Sequence, residues 1–135
     1  MNKKVTIAAI CTIIAFGIGL SITQGAKNSE KYSETLYLDA TFYQDKKHVQ
    51  IKFDDTSGKT TNIVLEILGM EESYQKTFTG SHFDIQVSFD GVPEYGWKSM
   101  PITLVIEHQE FGKIGIKTEV HNQGEPSSKI IFSEL

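Results

Sequence analysis

The chain has 135 residues, 39% of them hydrophobic and 22% charged, with 13 lysines, no arginine, 17 acids and a formal charge of −4. Beyond residue 26 the balance is 11 lysines against 17 acids, a charge of −6, which argues against nucleic acid as a partner because that affinity comes from cations neutralising phosphates. The lone cysteine, Cys11, leaves the rest of the chain with neither a disulfide nor a thiol nucleophile, and the lack of arginine removes the planar fork used for bidentate anion recognition.

Lys3 and Lys4 precede an uncharged, mostly apolar run from Val5 to Ile22, and charge returns only at Lys27. That order is the pattern of a secretory signal or an N-terminal membrane anchor. The run lies between the length of a signal core and that of a spanning helix. Residues 1–26 are therefore expected to be a cleaved signal or a retained hydrophobic helix through residues 5–22, with the N terminus inside. Cys11 lacks the preceding small residue of a lipid-modified cysteine. Both alternatives place the remainder outside the cytoplasm, as a secreted or single-pass membrane-anchored protein. Residues 27–34 are expected to be a polar linker.

From residue 35 apolar side chains recur at every second position, the period of a half-buried strand. The faces are Leu36 to Phe42, Val49 to Phe53, Ile63 to Ile67, a weaker one at Tyr74 and Phe78, Phe83 to Phe89, Ile102 to Ile106, Ile114 to Val120, and Ile130 with Phe132. Turn residues separate them, among them Asp54-Asp55-Thr56-Ser57-Gly58, Gly80-Ser81 and Asn122-Gln123-Gly124. No helix is expected after residue 26. The pattern predicts an all-β domain over 35–135, an antiparallel two-sheet sandwich of about eight strands, with an eight-stranded β-barrel as the alternative.

The run Ile114 to Pro126, followed by the strand Lys129 to Glu134, resembles the last hairpin of immunoglobulin-like and fibronectin type III-like domains. The departures are a missing corner tyrosine, no cysteine pair, and Trp97 in a loop. The resemblance implies a fold and no specific activity.

The longest interruption, Asp90 to Pro101, holds the only tryptophan, a tyrosine, two glycines and two prolines. Such a loop can present aromatic anchors to a protein or carbohydrate partner, or Trp97 can fold back to cap the core. If the strands alternate in direction, one end of the domain gathers His48, Glu71, Glu72, Tyr95, Trp97 and His121, with His82 and His108 at the other. The candidate binding residues are Tyr95 and Trp97 as anchors, with Glu94, Lys98 and His121 as the polar rim. A divalent metal on His48, His121, Glu71 and Glu72 is the weaker alternative, without the close spacing of metal-ligand motifs. The four histidines are expected instead to be solvated at strand ends, and Asp54 to Gly58 to be a turn and not a calcium loop.

No catalytic motif or cofactor-binding signature is present. The sequence therefore points to a non-catalytic binding or interaction module of a prokaryotic cell envelope. Its rivals are a small-ligand or metal carrier, and an accessory subunit pairing through an edge strand at Ser73 to Thr79.

Overall fold

Alternating apolar residues bury one face of each strand. In a computed structural model describing residues 29–70 and 74–135, each of the eight expected faces falls on a strand, with Phe89, Val120 and Ile130 just beyond the strand ends. The elements are a helix α1 (Ser29–Thr35) and strands β1 (Leu36–Tyr43), β2 (His48–Asp55), β3 (Thr60–Ile67), β4 (Tyr74–Thr79), β5 (His82–Ser88), β6 (Ile102–His108), β7 (Gly112–Thr118), β8 (His121–Asn122) and β9 (Ile131–Glu134). They form a four-stranded sheet in the order β5-β2-β1-β8 and a five-stranded sheet in the order β4-β3-β6-β7-β9. The sheets do not close on one another, which rules out the barrel.

The inward faces supply the core. Leu36, Leu38, Ala40 and Phe42 of β1, with Val49, Ile51 and Phe53 of β2, meet Ile63, Leu65 and Ile67 of β3 and Ile102, Leu104 and Ile106 of β6 in one buried cluster. The central strands β3 and β6 of the five-stranded sheet read as nearly continuous apolar runs because some of their outward side chains are also screened. Val64 and Val105, paired across β3 and β6, are buried on the outward face.

Two features depart from the sequence expectation. The segment read as polar linker and lacking a helix forms α1 from Ser29. Seven residues make a marginal helix by themselves, and this one is pinned by Tyr32, which is buried, donates to Glu134 Oε1 at 2.9 Å and meets the Phe111 ring edge-on at 4.9 Å. The second is β8, an added two-residue strand. It pairs parallel to β1 (Thr41 with His121, Phe42 with Asn122), so the chain leaves the five-stranded sheet after β7, touches the other, and returns as β9.

β8 continues in the direction of β7, so the alternation of ends survives. The β1–β2 turn, residues 68–70 after β3, residues 89–101 and the segment after Asn122 gather at one pole, here termed distal. The proximal pole holds α1, residues 56–59, Gly80-Ser81 and residues 109–111. Thr56 N–H donates to the Thr35 carbonyl at 3.0 Å, Asp55 N–H to Ser81 at 2.9 Å and Gln109 N–H to Lys59 at 3.0 Å.

The expected N-terminal hydrophobic helix, and Glu71, Glu72 and Ser73, lie outside the described residues. Among the described residues no helix is long and apolar enough to cross a membrane.

Candidate functional site

The distal pole carries a cleft of about 440 Å³, within the size range of small-ligand sites. One wall is the β1–β2 turn, with Gln44, Asp45 and Lys47; the second is the start of the long loop, with Asp90, Gly91 and Val92; the third is Asn122 and Gln123, and Phe42 lies at the base. The turn closes because Lys47 adopts a left-handed conformation (φ 52°), rare for a residue other than glycine. Its carbonyl accepts the Phe89 N–H at 3.0 Å, and the Phe42 carbonyl accepts the Gln123 N–H at 3.0 Å. Backbone hydrogen bonds thus tie both other walls to the β1–β2 hairpin.

The side chains of Gln44, Asp45, Lys47, Asp90 and Gln123 have no hydrogen-bond or ion-pair partner among the described residues. Asn122 differs: its Oδ1 accepts Trp97 Nε1–H at 3.1 Å and its Nδ2 donates to Glu125 at 3.0 Å. It serves as a post between the core and the cleft.

The two alternatives for Trp97 are decided by its position. It begins a short 3₁₀ turn, Trp97–Ser99, and is only 9% exposed, with its ring 5.2 Å from Phe42 and edge-on to Phe89 at 5.6 Å. It caps the core, and Phe42 and Asn122 join that cap to the cleft. The surface of the long loop is instead Tyr95, 78% exposed, and Val92, 51% exposed, with Glu94 and Lys98 also exposed. Gly69 backs this arrangement from the β3–β4 side: at φ 85° a Cβ there would lie 2.1 Å from the Ser99 carbonyl oxygen.

His121 is not a free rim residue. Its Nε2 lies 2.8 Å from Asp39 Oδ1 and 3.1 Å from Thr41 Oγ1, while its Nδ1 faces the Asn122 carbonyl at 3.0 Å. Both ring nitrogens thus face oxygen atoms, and the ring holds β8 against β1. Burial pushes the Asp39 carboxyl up, but hydrogen bonds from Thr41 and His121, the His121 charge and a bond from Ser127 outweigh it and hold the group below its ordinary value.

At the proximal pole lies a group that looks like a relay. Ser57, Asp55 and His108 converge, with Ser57 Oγ donating to Asp55 Oδ1 at 2.6 Å and lying 3.2 Å from His108 Nε2. A nucleophilic relay needs serine on one ring nitrogen and carboxylate on the other. Here both face Nε2, and Nδ1 accepts the backbone N–H groups of Glu110 and Phe111 at 3.1 and 3.0 Å. Asp55 also takes the Thr60 N–H and hydroxyl at 2.8 and 2.6 Å and the Ser57 N–H at 2.8 Å. Burial raises the Asp55 carboxyl, yet these bonds from Ser57 and Thr60 outweigh it and hold the group down. The turn reading of Asp54 to Gly58 thus gains its reason. The expectation of solvated histidines fails for His108, which is buried and stacked on Phe111 at 4.1 Å.

The metal set does not assemble among the described residues. His48 rests 5.4 Å from the Tyr43 ring on the outward face of the four-stranded sheet, His121 is engaged by Asp39, and Glu71 and Glu72 lie outside the description. No three histidine, cysteine or acidic side chains converge as ligands among the described residues.

Sequence reasoning missed Gln44, Asp45, Lys47, Asp90 and Gln123. The available signal was their place in turns that strand parity assigned to the distal end; aromatic content drew attention to the middle of the long loop instead. Compared with known protein families, curated proteins and solved structures, the chain matches none, so the site is read from its own geometry.

Proposed function

We propose that the chain is an exported, non-catalytic binding module of a prokaryotic cell envelope, secreted or held in the membrane by its N-terminal apolar segment, which docks a partner through its distal loops. The observation that carries this reading is the opposition of the two poles. The chain enters through α1 at a pole where Asp55, Ser57, Thr60 and His108 are bonded to one another, and the other pole bears the cleft, its unpartnered polar side chains and the exposed Tyr95 and Val92. Exposed aromatic residues beside a concave polar surface are effective docking elements, since they supply contact area at little entropic cost.

We further assign the sandwich to the immunoglobulin-like, fibronectin type III-like arrangement. Its support is the strand order: β1, β2 and β5 are neighbours in one sheet, β4, β3, β6 and β7 in the other, joined by hairpins and crossings between sheets.

The test is site-specific photocrosslinking of the full chain in its own cells, with the reactive residue at position 95 or, as the opposite-pole control, at position 59. A discrete adduct from position 95 that is absent from position 59 is the expected result. Equal labelling from both poles, or none from position 95, would overturn the docking reading.

A further inference from the structure

We infer that the distal cleft takes a neutral sugar, one or two pyranose rings of a glycan; this rests on the docking reading above and names the partner's chemistry. Five side chains at the cleft lack partners: two carboxylates (Asp45, Asp90), two carboxamides (Gln44, Gln123) and one ammonium (Lys47). Together they offer acceptors and donors in comparable supply with little net charge. A simple anion would face two carboxylates for one ammonium. A metal cation would find two carboxylates and an opposing lysine, with no third acidic or histidine ligand among the described residues.

Vicinal hydroxyls both donate and accept, so they can engage carboxylates, carboxamides and an ammonium together. The cleft's lining is also part apolar, through the exposed Val92 over a base closed by the buried Phe42, as the C–H face of a pyranose requires, and its volume of about 440 Å³ admits one or two rings. Gly91 leaves the second wall open, with nothing within 4 Å of where its Cβ would stand. The walls are held by the Lys47–Phe89 and Phe42–Gln123 backbone bonds, so the backbone adds little ordering cost to binding.

The structure also supplies the readout. Trp97 is the only tryptophan in the chain, and its Nε1–H donates to the side chain of Asn122 in the cleft wall. Its fluorescence reports on occupancy. The full chain in detergent, carrying no histidine tag, is titrated with maltose, cellobiose and chitobiose.

We expect saturable fluorescence change with at least one disaccharide, weakened roughly tenfold by Asp45→Ala and by Asp90→Ala, nearly lost in Gly91→Leu, and unchanged by Glu110→Ala at the opposite pole. Circular dichroism confirms that each variant is folded. No saturation by any of the three up to about 10 mM, or saturation that survives Asp45→Ala, Asp90→Ala and Gly91→Leu, overturns the sugar assignment. If that occurs while position 95 still crosslinks to a discrete protein, docking stands and its partner is a protein. If position 95 also fails to crosslink, the docking reading falls as well.

Discussion

The two poles of the sandwich each contain a histidine–aspartate pair, and the pairs are built in opposite senses. At the proximal pole the side chains of His108 and Asp55 are fully buried, Nδ1 of the ring accepts two backbone N–H groups, and the ring proton therefore sits on Nε2, facing Asp55 and Ser57. At the distal pole His121 and Asp39 retain 10% and 13% side-chain exposure, and both ring nitrogens face oxygen acceptors. The first pair terminates a network in which Asp55 receives four hydrogen bonds from Ser57 and Thr60. The second clamps a two-residue strand beside a cleft whose polar side chains, Asn122 apart, remain unpartnered. Saturated polar groups make a rigid anchor, because a buried donor or acceptor is costly only when left unpaired. Unpaired groups at the surface keep their capacity for a ligand.

The largest expected effect tests whether the distal pole is a rigid frame behind adaptable rims. Trp97→Ala should destabilise the domain by about 3–5 kcal/mol, as aromatic truncation in cores does, with urea unfolding as the measure. Trp97→Phe should recover most of the packing and lose only the bond to Asn122. If Trp97→Ala unfolds at the wild-type midpoint, the cap is not part of the core and the contrast between frame and rim collapses.

Asp55→Ala tests the proximal network. It leaves Thr60 and Ser57 N–H groups without their acceptor beside a buried ring and should cost about 3 kcal/mol; a loss under about 1 kcal/mol would place the anchor elsewhere.

Acid sharpens the comparison further. Asp39 and Asp55 are both held below the ordinary 3.8, so the unfolded chain binds protons more readily than the folded one. Their stabilisation is complete above that value and is lost as pH falls below it through the lowered folded values. Thermal melts at steps from pH 6 to pH 2.5 should show this decline, and Asp39→Asn and Asp55→Asn should each flatten part of it. A slope unchanged in both variants would mean that neither pair governs acid stability.

The smallest expected effect is at the rim. Tyr95→Ala, at a side chain 78% exposed, should shift stability by less than about 0.5 kcal/mol while abolishing crosslinks read from a neighbouring rim position. A larger loss in urea unfolding would make Tyr95 structural.

Much of this architecture was legible because a strand's side-chain period is two residues. Leu36 to Phe42 or Ile102 to Ile106 can bury one face in only one register, and the turn residues between runs mark where the chain reverses. Parity alone brings the β1–β2 turn and the Asp90 loop to one end. α1 was illegible because its stability is not local: seven residues hold their helix through Tyr32, whose partners Phe111 and Glu134 lie far along the chain. β8 was hidden for the same reason, since two residues carry no period and their pairing depends on His121 reaching Asp39 across 82 positions.

Local periodicity and chain reversal suffice to set the strand faces, the all-β class and the division of turns between ends. Contacts between distant segments set the rest: that the sheets stay open as a sandwich, and which polar residues are spent and which are free. Asp45 and Asp90 read like Asp39 and Asp55 in the chain, and whether a carboxylate finds a donor depends on contacts between distant segments that no local pattern encodes.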